Sequence, residues 1–329
     1  MRQETEHQAV RVAAPARLHL GFVDLNGERG RKFGSIGLAL DAPATVVTAR
    51  RARSDRFSGV EAARTRTTLE RLRGPLGLSG SYDIAVERAI PAHAGLGSGT
   101  QIALAVAGAT LALDGRTMSA EDIARFTDRG RRSAIGIAAF TDGGFIVDGG
   151  RGRLDRPPPV LIRAPFPEEW RVLLILDAQA TGVHGDRETE AFATLPSMLI
   201  VTAEHLSHLV LMQAAPALVE HDIVAFGAAI GEIQRLVGSH FSAAQGGSAW
   251  SSPRVGALAR RLAAAGAHGI GQSSWGPTGF AFAPTQSDAL NLYQSFVEDA
   301  KAQGLELMIA SGRNSGAHIE AVTPAHPGQ

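Results

Sequence analysis

The chain has 329 residues, 44% of them hydrophobic, enough for a large core and for two domains. Lysine plus arginine and aspartate plus glutamate both number 32, so the formal net charge is zero, which argues against a general nucleic-acid or membrane-surface binder. Cysteine is absent, which excludes disulfides, zinc–thiolate sites and thiol nucleophiles.

The opening residues, MRQETEHQAVRV, carry no apolar signal segment. No run of about 18 apolar residues exists to span a bilayer, so a soluble cytoplasmic protein is expected. Residues 10–20 alternate loosely and predict a strand. The Gly- and charge-rich stretch GFVDLNGERGRKFGSIGLAL is a loop leading into a second strand. Residues 43–53 (PATVVTARRAR) predict a further, edge-like strand, residues 65–76 a basic amphipathic helix, and residues 81–89 (SYDIAVERA) a strand. That strand feeds PAHAGLGSGTQ, residues 91–101. Residues 102–113 are apolar all round, as in a helix buried at a domain centre. Ser119 is placed to cap another helix, with Asp122 one turn on. GRRSAIGIAAFTDGGFIVDGG is dense in glycine and ends in a short strand. Prolines at 157–159, 165 and 167 make the strongest break in composition, so domains of residues 1–166 and 167–329 are expected. Beyond it, WRVLLILD predicts a buried strand, residues 197–237 two helices, and residues 253–265 another. GIGQSSWGPTGFAFA is a Gly-rich turn entering a strand, residues 288–303 a helix, and LELMIA a late strand. Strands and helices mix in both halves, which suggests an α+β fold and not a doubly wound parallel sheet.

Strand, glycine-rich turn and helix start together form a recipe for binding an anion. Glycines admit close backbone approach, and the helix start offers unpaired N–H groups with a partial positive charge. Gly95, Gly97, Ser98, Gly99 and Thr100 fit it. The loop is no Walker A motif, because no Lys-Ser/Thr pair ends it, and no dinucleotide G-x-G-x-x-G. A helix start with glycines for tight packing is the other reading.

PAHAGLGSGTQ resembles the central motif of the GHMP kinase superfamily, typically P-x-x-x-G-L-G-S-S, and GIGQSSWGPTGFAF resembles its third, Gly-rich motif. Three further stretches, ARLHLGFVDLNGERGRKFGSIGLAL, GRRSAIGIAAFTDGGFIVDGG and TGVHGDRETEAF, resemble one branch, the β-ribofuranosylaminobenzene 5′-phosphate synthase family. The resemblance spans residues 10–315. It implies a two-domain GHMP-kinase-type fold, with a ribosomal-S5-domain-2-like N-terminal domain and a ferredoxin-like C-terminal one. It also implies a decarboxylating pentosyltransferase that joins phosphoribosyl pyrophosphate to 4-aminobenzoate or 4-hydroxybenzoate, an early step in making tetrahydromethanopterin. Mg²⁺ and a homodimer are implied too. Gly99 replaces the second serine of the kinase loop, and Gln101 stands where a small residue is usual. An ATP-dependent small-molecule kinase and a non-catalytic anion-binding protein remain the alternatives.

Under that resemblance the candidate residues fall into groups. Arg17 and His19 share one face of the first strand, and Asp24 follows in its loop. Arg17 suits a phosphate or benzoate carboxylate, or a structural ion pair with Asp24 or Asp41. Arg29, Arg31 and Lys32 make a basic loop. Asp142 would hold Mg²⁺ or face the sugar, or be ordinary turn chemistry before Gly-Gly. His184 and Arg187 suit an anion, and Asp186 or Glu188 suits Mg²⁺ or the cationic sugar, Asp186 being the named metal candidate. Gln272 and Ser273 would close the pocket, and Trp275 would stack on the benzoate ring or pack as a core residue. His205 and His208 lie three apart on a helix with no third ligand, as ordinary surface residues do.

Overall fold

The structure, a computed structural model, describes residues 9–182 and 185–323. Strands β1 (Ala9–Asp24) and β2 (Phe33–Ala52) pair antiparallel along most of their length. Val10, Val12, Leu18 and Leu20 are all buried, as period-two patterning requires. The second and third predicted strands are one strand. Between Pro15 and Ala16 the β2 partner jumps from Ala44 to Leu40, so residues 41–43 bulge, and Pro43 sits where the ladder asks for no N–H. The stretch expected at an edge is interior, because β2 pairs with β1 on one side and β4 on the other.

The first half continues through β3 (Arg56–Gly59), α1 (Ala62–Leu76), β4 (Ser81–Arg88), α2 (Ser98–Leu113), α3 (Ala120–Phe126), α4 (Ile135–Thr141), β5 (Phe145–Asp148) and β6 (Val160–Ala164). The second comprises β7 (Arg171–Leu176), α5 (Asp186–Thr194), α6 (Ile200–Leu209), a π-helical turn, α7 (Ala215–Val219), α8 (Ile223–Phe241), α9 (Pro253–Ala264), β8 (His268–Gln272), β9 (Gly279–Ala283), α10 (Gln286–Ala302) and β10 (Glu306–Ser311). A last strand, β11 (His318–Val322), returns to pair with β1. The first sheet therefore runs β11-β1-β2-β4-β3, with β5 and then β6 attached to β2. The second is antiparallel in the order β10-β7-β9-β8, that of a ferredoxin-like unit.

The apolar helix α2 is buried on every side, as its sequence requires: Ile102, Leu104, Ala105, Val106 and Ala107 are fully covered. One core cluster runs without a break from Leu18, Leu38 and Phe145 in the first half to Trp170, Phe226 and Phe282 in the second. The two sheets are thus joined by side chains as well as by chain. No helix among the described residues is long and apolar enough to cross a membrane.

Candidate active site

β4 delivers the chain into the glycine-rich loop and α2 receives it. Gly95 and Gly97 both take left-handed backbone, with φ of 81° and 85°. They are also close approaches: a Cβ would stand 2.3 Å from the Ser273 carbonyl oxygen at Gly95, and 3.1 Å from Arg17 Cγ at Gly97. Gly97 caps α2 without a side chain, and its carbonyl accepts from the Thr100 (3.1 Å) and Gln101 (3.2 Å) N–H groups. The Ser98 and Gly99 N–H groups have no described backbone or side-chain acceptor, and stand open at the positive end of the helix.

Three elements clamp this loop. Arg17, on β1, donates its backbone N–H to the Leu96 carbonyl (3.1 Å) and its Nη1 to the Gly95 carbonyl. The turn between β8 and β9 closes from the other side. There Ser273 Oγ donates to the Gly95 carbonyl (2.7 Å) and accepts from the His19 N–H (2.9 Å). Gly182 N–H donates to the His93 carbonyl (3.2 Å), which brings the segment leading to α5 over the same loop.

A cleft of about 390 Å³ opens here, lined by the loop together with Arg17, Arg64, Arg129, Glu188 and Trp275. Burial lowers the Arg17 guanidinium to about 10, against the pull of Glu188, so it stays charged at neutral pH. Partial burial, and then Arg64 and Arg71, push the Arg129 guanidinium below its ordinary value. Arg64 Nη1 is buried with no hydrogen-bond partner among the described residues. Glu188 is the one carboxylate among the described residues lining the cleft. Several cations beside the positive end of a helix repel one another, an arrangement that suits a multiply charged anion. The same arrangement stabilises charge that grows on a departing oxygen.

The chain matches the family model for the GHMP kinases N terminal domain over residues 61–149 and that for GHMP kinases C terminal over residues 214–302. The solved homoserine kinase from Cytophaga hutchinsonii has a TM-score of 0.66 at 18% identity, covering 97% of this chain and 99% of that one. The mevalonate diphosphate decarboxylase from Enterococcus faecalis gives 0.64 at 19%, covering 96% and 99%. These likenesses establish the two-domain GHMP-kinase-type fold. The beta-ribofuranosylphenol 5′-phosphate synthase of Methanothermobacter thermautotrophicus is 33% identical over 94% of this chain and 98% of its own. That of Archaeoglobus fulgidus is 32% identical over 94% and 99%. The chain belongs to the beta-ribofuranosylphenol 5′-phosphate synthase family. It is an enzyme of pentosyltransferase type.

In this synthase-family chain the fold gathers Arg17, Gly95, Gly97, Ser98, Gly99, Thr100, Glu188 and Trp275 on one cleft. Ser273 and Gln272 stand behind the wall. Gln272 Oε1 accepts from the Ser251 N–H (2.8 Å), and its Nε2 donates to Gln245 Oε1 (2.8 Å), so both ends are spent on structure. Trp275 packs on Phe241, with ring centres 4.3 Å apart, and its indole N–H has no partner among the described residues. His19 is buried and lines a small recess with Phe22, Gln234 and Ser274, next to the cleft. Burial, reinforced by Arg17, drives its pKa down to about 3, so the ring is neutral.

Asp24 and Asp142 are not brought to the cleft. Asp24 Oδ1 accepts from the Asn26 (2.7 Å) and Gly27 (3.0 Å) N–H groups in a local turn. Asp142 ends α4 at the surface, its carboxylate accepting from the Thr141 hydroxyl (2.5 Å). Arg31 is spent on the Gly149 and Gly150 carbonyls, 2.6 Å each. His184 lies outside the described residues, as do the side chains of Asp186 and Arg187, whose backbone opens α5. Glu188 Oε2 pairs with Arg132 Nη1 at 3.0 Å. No group of three side chains able to hold a metal occurs among the described residues.

Arg64, Arg129 and Arg132 escape sequence reasoning. Arg64 precedes a stretch legible only as a basic helix. Arg129 sits between Asp128 (φ 60°) and Gly130 (φ 75°), a turn that the sequence hints at without showing what the arginine will face.

Proposed function

We propose that this enzyme condenses phosphoribosyl pyrophosphate with a para-substituted benzoate, releasing carbon dioxide and pyrophosphate, as a step towards tetrahydromethanopterin. The observation that supports it is the set of guanidinium groups around the open α2 helix start, in a chain whose full-length relatives are named for a ribofuranosylphenol 5′-phosphate. The ring carbon bearing the carboxylate attacks C1 of the ribose. The C1–O bond breaks, and its electron pair leaves with the pyrophosphate. The carboxylate then departs as carbon dioxide, and the released pair restores the aromatic ring. No oxidant and no external base are required.

Arg17 and the Ser98 and Gly99 N–H groups meet the charge growing on the leaving pyrophosphate. Glu188 faces the sugar as it gains cationic character. Much of the rate comes from holding two small anions side by side against their repulsion. The described residues offer no all-protein metal cage but do offer Glu188 beside the phosphate loop, which fits the way Mg²⁺ is held by one or two carboxylates and substrate phosphates. When bound, the ion would neutralise pyrophosphate charge. The relatives' phenol name favours 4-hydroxybenzoate over 4-aminobenzoate, because loss of its carboxylate leaves a phenol.

The test is incubation with phosphoribosyl pyrophosphate, Mg²⁺ and either benzoate labelled in its carboxyl group. Labelled carbon dioxide and pyrophosphate are expected in equal amounts, faster with the hydroxy acid. ATP consumption with an alcohol acceptor and no carbon dioxide would replace this reading with a kinase. Sedimentation of the purified chain tests the homodimer that accompanies the proposal.

A further inference from the structure

We propose that Arg129 binds the donor's pyrophosphate directly, and that Gly99 is a glycine in order to admit it. The proposal rests on the reading above insofar as the anion is that of the phosphoribosyl donor. Gly99 lies inside the first turn of α2 and is not among the glycines with left-handed backbone. Alanine there would favour the helix by roughly 1 kcal/mol, so conformation does not explain the residue. Space does. A Cβ at this position would lie 3.0 Å from Arg129 Nη1, 3.1 Å from Cζ and 3.2 Å from Nη2. The guanidinium thus borders the place where a side chain of the loop would stand, beside the open N–H groups of the helix start, and a Cβ there would push it aside by a few tenths of an ångström.

Its surroundings fit a ligand-binding cation. Arg131 and Arg132, two and three residues on, are paired with Asp128 and Glu188. The Arg129 side chain makes no hydrogen bond or ion pair with any described residue, although Asp128 adjoins it. The backbone holds it in place: its N–H donates to the Ala124 carbonyl at 2.7 Å, between two left-handed residues. Arg64, also on the cleft, pairs through Nε with Glu61 at 3.4 Å but leaves its buried Nη1 without a hydrogen-bond partner among the described residues. A planar fork is suited to bidentate contact with phosphate oxygens, and a pyrophosphate carries enough charge to quiet three guanidinium groups and a helix end together.

The experiment measures binding of inorganic pyrophosphate by calorimetry, and KM for each substrate, in the full chain and in Arg129→Ala, Arg129→Lys, Gly99→Ser and the Gly99→Ser/Arg129→Ala double variant. Arg129→Ala is expected to weaken pyrophosphate binding and raise the donor KM by about tenfold or more, with the benzoate KM unchanged. Arg129→Lys should recover part of this. Gly99→Ser, which restores the hydroxyl of the kinase loop, should weaken pyrophosphate binding too, and should add little once Arg129 is gone. An active enzyme whose Arg129→Ala variant binds pyrophosphate like the parent overturns the inference and leaves the reaction standing. Arg129-dependent pyrophosphate binding in a chain that forms no C-riboside does the reverse.

Discussion

Gly97 sits at φ 85° with Arg17 Cγ 3.1 Å from the place of its missing Cβ. A β-branched residue there meets backbone strain of about 1–3 kcal/mol and pushes on Arg17. Gly97→Val should therefore fold, with a lowered thermal midpoint, and lose pyrophosphate binding in a calorimetric titration; undiminished activity would remove the loop from the mechanism. His19 gives a pH signature. Its folded pKa of about 3 lies below the ordinary 6.5, so the unfolded chain takes up a proton that the folded chain refuses. The stability this histidine allows is complete above the unfolded value and drains away as pH falls towards the folded one. The loss from its titration amounts to about 2 kcal/mol between about pH 7 and pH 5. Urea unfolding at the two pH values should show His19→Leu losing less than the parent by that amount, and equal losses would refute the assignment. Arg17 was legible as a charged residue in an apolar strand, and the five loop residues as a helix start with glycines. Asp24 and Asp142 looked like candidates because sequence shows which groups titrate, not which way they face. Arg129 was invisible for the same reason: its meeting with Gly99 depends on a turn thirty residues away.

At the scale of elements, α5 ties the site to the core. It carries Glu188 to the cleft and, one turn on, Phe192 into a ring cluster with Phe33 (5.4 Å between centres), Phe241 (5.7 Å) and Trp275 (5.3 Å). Arg132 touches both, pairing with Glu188 at 3.0 Å and lying 4.8 Å over the Phe192 ring. Such a partly buried pair with a cation–π contact is worth about 1 kcal/mol. Arg132→Ala should therefore shift the melting temperature by only a few degrees. It should cut kcat/KM by about tenfold or more, because Glu188 loses its fixed position. A large stability loss with normal kinetics would sink that view. The same contrast explains which elements could be read beforehand. The helix α2 and strands β7 and β9 are buried almost throughout, and their apolar runs say so. Strands β6 and β11 lie largely in the open and carry no burial pattern to read. The short helix α4 is hidden by Gly136, where a Cβ would crowd Thr100 Cγ2 at 3.2 Å.

For the molecule as a whole, the shared core decides how it comes apart. Leu18 and Phe145 of the first half and Trp170, Phe226 and Phe282 of the second belong to one cluster. Calorimetry should show one cooperative transition with matching calorimetric and van't Hoff enthalpies, and a fragment of residues 1–166 should not fold alone. Two resolved transitions would show that the halves are independent. Pro165 and Pro167 fall between β6 of the first sheet and β7 of the second, whereas the prolines at 157–159 join β5 to β6 within the first. The return of β11 to that sheet is a pairing between Ala9 and Val322, about 310 residues apart, and no local pattern encodes it. That pairing also gives the protein a history. At about 5–20 residues per second of synthesis, β1 waits roughly 15–60 s for its outer neighbour to be made. Through that interval its edge is a template open to any passing strand, and a charge on it is the usual guard. Arg11, which in the finished sheet reaches Glu320 of the late strand at 3.3 Å, stands on that edge from the beginning. The clasp of the completed sheet is thus also the guard of the nascent one.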